Sequence, residues 1–373
     1  MRERQRPLEG ARTEIAERLG ALLQAKSALA AAHGPDFAEL WQLTSQSAQG
    51  GKLLRPRLVV GIFDGFRATA APDPETREVA VDLAVAVELL HFAFLLHDDL
   101  IDDDVTRRGV PNLVGRLTDL STTPTHPSAD TPGSDDLTEV RRLHWARSSA
   151  LLMGDLVLTI AHQIFARARV AEAERLRLLD LLDAGVTETV AGEYIDVSLA
   201  DAQVTPTLPL VLDMTRMKTA TYSFELPLRI GAIIAGAGEL AEQRLGAIGR
   251  HLGIAFQLQD DLLSAFGQSE THGKDQFSDF REGKETALIA CARLTNEWPL
   301  IEQLLGAADF SEESGLALQR LLESCGARDV IEAMVHDQLE LAEQLIAHND
   351  GVMATDVCQF LGDLMSRMAG RRS

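Results

Sequence analysis

The chain is poor in cysteine, in positive charge and in alternating apolar segments, and each shortage narrows what it can be. Three cysteines, Cys291, Cys325 and Cys358, stand far apart in 373 residues with no metal-ligand spacing. No disulfide framework is expected, and buried free thiols in a reducing compartment are the reading. Lys and Arg number 35 against 56 Asp and Glu, a net charge of −21. That balance opposes binding to nucleic acid, for which no motif is present either. The basic opening Met-Arg-Glu-Arg-Gln-Arg-Pro has no apolar core behind it, so no signal peptide is expected. No apolar run reads as long enough for a membrane span. Strand-like alternation of period two is missing throughout. With 46% hydrophobic residues the chain is globular, and the expectation is a soluble cytoplasmic protein.

What is present is concentrated in one stretch, from His91 through His97-Asp98-Asp99-Leu-Ile-Asp102-Asp103-Asp104 to Arg107-Arg108-Gly109. Five carboxylates fall within seven positions at the end of an apolar segment. On a helix Asp98 and Asp102 are i and i+4 and share a face, which Leu95 and His91 continue. Clustered aspartates repel one another unless cations neutralise them. Oxygen ligands without His or Cys among them suit Mg²⁺ better than Zn²⁺. Magnesium held by one or two carboxylates spends its other positions on water and phosphates. The arginines that follow carry the forked donors a diphosphate needs.

A second acidic site lies far along the chain, Phe256-Gln257-Leu-Gln-Asp260-Asp261-Leu-Leu-Ser264. Gly253, Gln257, Asp260 and Ser264 fall on one helical stripe. A glycine-bearing loop from Gly267 to Glu285 follows, with Lys274, Asp279 and Lys284. Two cationic stretches remain. Gly50-Gly51-Lys52-Leu-Leu-Arg55-Pro56 frees the backbone to approach a ligand beside two cations. Lys218-Thr219 sits in an apolar, hydroxyl-rich run, where a lysine must reach outward or face an anion.

Helical periodicity covers nearly everything else: residues 11–33, a patch before Gly50, 78–105, 143–168, 171–199, 240–266 and the chain after Thr286. Residues 118–139, rich in Pro, Ser, Thr and Asp, read as a mobile surface loop, and Asp201 to Pro209 as a short one. The fold class is all-α: a single domain over residues 1–373, a bundle of antiparallel core helices around a central cavity. Apolar residues line the helices behind both acidic sites, so the expected ligand has an anionic head and an oily tail.

Taken in order, Gly50-Gly-Lys-x-x-Arg-Pro56, Asp98-Asp-x-x-Asp102 with Arg107-Arg108-Gly109, Lys218-Thr219, Phe256-Gln257-x-x-Asp260-Asp261, and Gly273-Lys274 through Asp279 to Gly283-Lys284 resemble the trans-isoprenyl diphosphate synthases, the polyprenyl synthetase family. Any one motif has an ordinary structural explanation; five in family order do not. The resemblance covers the chain from about residue 45. It implies a Mg²⁺-dependent, head-to-tail transfer in which an allylic diphosphate ionises and isopentenyl diphosphate attacks. By the same resemblance Asp98 and Asp102 hold two metal ions, Asp260 holds a third, and Asp279 joins through water with Lys284. Arg107, Lys218 and Lys274 clasp the allylic diphosphate. Lys52, Arg55, His91 and Arg108 bind isopentenyl diphosphate, and Thr219 and Gln257 lie beside the carbocation. It also implies a homodimer.

Three positions depart from the family pattern. Ser264 stands where the second motif ends in aspartate, and is expected to hold a water with weakened metal affinity. Glu193 replaces a common Gln, and Phe277 replaces a glycine of the lid loop, where stiffer closure is expected. One turn before Asp98, Ala93 and Phe94 correspond to the floor of the tail pocket. A small residue at 93 opens the pocket while Phe94 caps it, so a geranylgeranyl product is expected, with farnesyl or longer chains as alternatives. Class I terpene cyclases share the first aspartate motif, but need no second-substrate pocket such as Gly50–Pro56 and Arg107-Arg108 supply. A non-catalytic partner subunit is suggested only by Ser264.

Overall fold

The computed structural model describes residues 6–71, 73–107, 109–120, 135–267 and 277–370. Arg108, Gly273 and Lys274 of the motifs above, and residues 121–134 of the expected loop, lie outside them. The described chain is all-α, apart from one two-residue antiparallel pair, Thr106–Arg107 (β1) with Val110–Pro111 (β2). That pair is the exception to the expectation of no strands, and it is too short for periodicity to show. The chain packs into two compact units, one from the N-terminal residues up to Val60 and Pro74–Ala171, the other from Gly61–Asp73 and Glu172 onward.

In the first unit, Ile15, Leu19 and Leu23 recur every fourth residue along α1 (Arg6–Ala31) and are buried, as a one-faced helix requires. Trp41 of α2 (Pro35–Ser47) is buried beside them, its indole N–H donating to Leu23 O at 3.3 Å. The helix α3 (Leu54–Arg67) follows, belonging to this unit as far as Val60. The centre of the unit is α4 (Pro74–Ile101), buried almost all round from Val79 to Leu96 and packed chiefly on α6 (Asp135–Ala166). On α6, Ala146, Ala150, Met153, Val157 and Ile160 are buried at a spacing that fits one seam, with Ser149, Ala161 and Phe165 buried beside it. The short α5 (Leu113–Leu120) closes against α6. Helix thus reaches Leu120 and resumes at Asp135, so the ends of the expected 118–139 loop are corrected to helix.

Against expectation, two segments, Pro74–Ile101 and Glu139–Ala166, are long and apolar enough to cross a membrane. The first has 78% of its most apolar window buried inside the structure, which is the burial of a core helix.

In the second unit α7 (Glu172–Ala200), α8 (Leu208–Thr215) and α9 (Leu226–Ile234) precede α10 (Glu239–Phe266), the central helix. The loop expected over 201–209 gives way to helix at Leu208, where Thr207 caps it through the Leu210 N–H. Between α8 and α9 the chain forms a ten-residue π-helix, Arg216–Glu225. Leu245, Leu252, Ala255, Leu258 and Leu262 of α10 are buried; the last two join Phe277, Phe280, Ile289, Leu318 and Ile331 in one apolar cluster. Within the expected 267–285 loop, Ser278–Glu282 is a short helix. All three cysteines are free thiols, but only Cys291 is buried; Cys325 and Cys358 are half-buried. Burial pushes the Cys291 thiol above its ordinary range.

Candidate active site

From Val79 to Leu90 the helix that carries the first acidic run is buried except at Asp82, and its last turns surface along one stripe, with His97 and Leu100 half-buried beside it. His91, Phe94, Leu95, Asp98 and Asp102 are half-buried, whereas Phe92, Ala93, Leu96 and Asp99 between them are buried. The face expected from i, i+4 spacing therefore exists. It is extended one residue past the helix end by the Asp102 N–H, which donates to Asp98 O at 2.9 Å.

The helix stops at Ile101, not at 105 as the periodicity suggests. Asp103 takes a left-handed conformation (φ 59°) and the Asp104 N–H returns to Asp99 O at 2.8 Å. This is how helices are closed by a left-handed residue, a role aspartate tolerates better than most. Outside that turn Asp103 pairs with Arg147 at 2.6 Å.

The β1–β2 pair then folds Arg107 back onto the helix. Its Nε donates to Asp99 Oδ1 at 2.8 Å and its Nη2 to Asp98 Oδ2 at 2.9 Å. Asp99 is 4% exposed. Burial, which outweighs the attraction of Arg107, holds its carboxyl above the usual range. The Arg107 guanidinium is pulled down by burial but pushed further up by Asp99 and Asp98, so it stays charged. Arg107, expected to clasp a diphosphate, bonds two carboxylates in this ligand-free chain.

Elsewhere in this unit Gly51 approaches buried Glu88 so closely that a Cβ would meet Oε1 at 3.1 Å. Lys52 beside it is exposed and Arg55 half-buried.

In the second unit the π-helix presents Lys218 and Thr219. Its backbone is in direct contact with two helices: a Cβ on Gly192 of α7 would lie 2.3 Å from Lys218 N, and one on Gly253 of α10 would lie 2.5 Å from Ala220 Cα. Glycine at both places is what allows that approach. Of the two alternatives open to the lysine, it faces anions: Nζ is 2.9 Å from Glu193 and 2.5 Å from Asp196. The Thr219 hydroxyl donates to Gln257 Oε1 at 3.1 Å, and Gln257 Nε2 donates to Asp261 Oδ1 at 2.9 Å. Asp261 is 6% exposed while Asp260 is half-buried.

Each acidic pair is therefore divided in the same way. One member, Asp98 or Asp260, remains accessible; its neighbour, Asp99 or Asp261, is buried and orients another polar side chain. Adjacent residues on a helix point about 100° apart, so a doubled aspartate at a helix end serves two directions.

Ser264 lies deeper than Asp260. Its side chain is 1% exposed, and its Oγ has no hydrogen-bond partner among the described residues. The Phe277 N–H donates to Ser264 O at 3.3 Å. Ser264 is a core position. Phe277 itself is left-handed (φ 68°) and 3% exposed, stacked on Phe280 with ring centroids 5.9 Å apart. Asp279 and Lys284 close the following turn, Lys284 N–H to Asp279 O at 2.9 Å, and Lys284 Nζ lies 3.1 Å from Glu282.

Reading motifs alone missed the partners of Lys218, Glu193 and Asp196, although Gly192-Glu193-Tyr-Ile-Asp196 places both carboxylates one turn apart on a helix. Among the described residues no three carboxylate, imidazole or thiol side chains converge on one point. A metal ion here would be held by one or two carboxylates, with the rest of its shell from water and ligand. Oxygen donors alone on the Asp98–Asp102 face and at Asp260 fit a hard cation of that kind.

Residues 38–319 match the polyprenyl synthetase family, and the chain belongs to it. It is a prenyltransferase of the head-to-tail, polyprenyl diphosphate synthase class. The geranylgeranyl diphosphate synthase of Methanosarcina mazei is 28% identical over 291 residues, 78% of each chain. The (2E,6E)-farnesyl diphosphate synthase of Mycobacterium tuberculosis is 30% identical over 74% of this chain and 68% of its own. Among solved structures, the Corynebacterium glutamicum geranylgeranyl pyrophosphate synthase complexed with isoprenyl diphosphate and magnesium superposes with a TM-score of 0.84 at 26% identity, covering 96% of this chain and 98% of that one.

Proposed function

We propose that the chain joins isopentenyl diphosphate to an allylic diphosphate in a Mg²⁺-dependent reaction and releases the twenty-carbon geranylgeranyl diphosphate. The observation that carries this reading is the stripe His91–Phe94–Asp98–Asp102, a half-buried line along the end of a largely buried apolar helix. It joins an acidic end to an apolar stem along one line, as a ligand with a charged head and a hydrocarbon tail requires. In this reading Asp98 and Asp102 would hold Mg²⁺, as would Asp260, with Asp279 joining through water. Bound there, the ion supplies neutralisation of the charge that grows on the departing diphosphate.

The chain's own residues do the rest. Arg107, Lys218 and Lys274 orient the allylic diphosphate, and Lys52, Arg55, His91 and Arg108 orient isopentenyl diphosphate. Lys284 and Asp279 close over them. As the allylic C–O bond breaks, the Thr219 and Gln257 oxygens lie against the cation. The isopentenyl double bond then forms the new C–C bond, and the proton it sheds passes to the released diphosphate. The Thr219–Gln257–Asp261 series of hydrogen bonds supports this role, because it fixes two oxygens in place before any charge develops.

Product length rests on Ala93, fully buried, and Phe94, half-buried, one turn before Asp98. Chromatography of the products from dimethylallyl, geranyl and farnesyl diphosphates, each with isopentenyl diphosphate and Mg²⁺, tests it. A twenty-carbon product from all three is expected. Fifteen carbons, or twenty-five and more, would contradict the assigned floor.

The two units form one catalytic domain in this reading, and the chain works as a cytoplasmic homodimer. Free thiols at Cys291, Cys325 and Cys358 support the reducing compartment. Val140, Leu151 and Leu152 of α6, 66%, 48% and 62% exposed, support a partner surface. Sedimentation at micromolar concentration showing a monomer would contradict the dimer.

A further inference from the structure

Ten residues is long for a π-helix, a form that proteins use mostly as single turns. Something outside Arg216–Glu225 must therefore favour its i→i+5 repeat over the i→i+4 repeat of an α-helix. The Leu226 N–H, which donates to Thr221 O, shows that repeat at the end of the segment. Near its start, Glu188 of α7 takes two donors on a single oxygen. Arg216 Nη1 reaches Glu188 Oε2 at 2.9 Å, and the Thr221 hydroxyl donates to the same oxygen at 2.8 Å. That hydroxyl also lies 3.2 Å from the Arg216 carbonyl oxygen, and Thr221 is 6% exposed.

The two donors are five residues apart. In a π-helix residues at that spacing stack on one side, so both meet one acceptor. In an α-helix, at about 100° per residue, they would point about 140° apart, and the short threonine side chain would turn away from Glu188. The pair of bonds therefore belongs to the π register, and Lys218 and Thr219 lie between its two members. Glu188, Gly192 and Asp196 recur every fourth residue and share one face of α7; the middle one admits the Lys218 main chain. We propose that Glu188 and Thr221 are positioning residues that lock the π register and so aim Thr219 at the nascent allylic cation. Both act through the backbone between Arg216 and Thr221. The inference rests on the roles given to Lys218 and Thr219 above.

Steady-state kinetics of the full chain, with each substrate varied, test this for the parent, Thr221→Ser, Thr221→Val, Glu188→Ala and the double variant Thr221→Val/Glu188→Ala. The temperature is one at which melting curves show each variant folded. Thr221→Val and Glu188→Ala are each expected to lower kcat about 10-fold or more, the scale of a small misplacement of reacting groups. KM for isopentenyl diphosphate moves less than about twofold, because none of the residues assigned to it is on the π-helix. The double variant loses about as much as the worse single one, since both substitutions remove one contact. Thr221→Ser, which keeps the hydroxyl, stays within about twofold of the parent. Should Thr221→Val fail to fold, Glu188→Ala decides alone, because that side chain is 43% exposed. Three results overturn this inference alone, given a parent that forms product: a folded Thr221→Val or Glu188→Ala at the parent's kcat, a Thr221→Ser as slow as Thr221→Val, or a KM for isopentenyl diphosphate that rises as kcat falls. A double variant whose loss is the product of the two single losses does the same. A parent that makes no prenyl product overturns the proposed function with it.

Discussion

The hydroxyl of Thr219, on a π-helical turn, donates to Gln257 Oε1 on α10 at 3.1 Å, and this fixes which end of the amide faces Asp261. With its oxygen taken by Thr219, Gln257 can offer Asp261 only its NH₂ group. Glutamine is therefore the one side chain of its length that accepts on one side and donates to a buried carboxylate on the other.

Replacing Gln257 by Glu should be worse than its small change in shape suggests. The variant loses the donor and sets two carboxylates against each other. We expect a loss of about 1–3 kcal/mol in denaturant unfolding, together with a fall in kcat. Gln257→Met, which removes both bonds without adding charge, should cost less stability than Gln257→Glu.

Ala at position 253 should disturb the π-helix directly. Its methyl group would lie 2.5 Å from Ala220 Cα, and neither main chain can give way like a flexible side chain. Overpacking of this kind costs about 1–3 kcal/mol. Because Ala220 follows Thr219, turnover should fall further than stability at a temperature where the variant remains folded. Melting curves and kcat measured on one preparation check this.

Loss of Arg107 should make stability more dependent on pH. The Asp99 carboxyl is already above its ordinary range because it is buried, and Arg107 opposes that rise. Arg107→Leu raises it further. A carboxyl whose folded pKa exceeds its unfolded value binds more protons in the folded state, so stability is full below the unfolded value and declines as pH rises through the folded one. Arg107→Leu should therefore lose little at low pH and about 3 kcal/mol near neutrality, the scale for a buried charge stripped of its partner. Urea unfolding across pH 4 to 8 measures the slope.

Phe94→Ala should lengthen the product. The ring is half-buried on the open stripe, one turn before Asp98, where it closes the apolar end of the proposed tail path. Product chromatography should show chains beyond twenty carbons. An unchanged product would place the floor elsewhere.

Much of this was legible before any coordinates. The helices are where apolar spacing puts them, because burial of a one-sided face is written in residue order. Asp98 and Asp102 share a face because i, i+4 geometry requires it. What could not be read was local and backbone-driven. The end of α4 depends on Asp103 accepting a left-handed conformation. The π-helix depends on Gly192 and Gly253 permitting main-chain contact from two helices distant in sequence. The membrane-length helices escape a search for unbroken apolar runs because Asp82 and Glu88 interrupt the first and Asp155 the second. The depth of Ser264, 1% exposed, depends on what packs against that turn, which its place in a motif does not carry. Glu193 was noticed as a departure, but its partner is 25 residues away.

The most direct test of the account is turnover by Asp98→Asn and Asp260→Asn at saturating Mg²⁺ with both substrates present. Each substitution keeps the side chain's size and removes one carboxylate assigned to the metal and its diphosphate. The account predicts that each lowers kcat by about 100-fold or more, with melting temperatures close to the parent's. Either variant turning over at the parent's rate would contradict it.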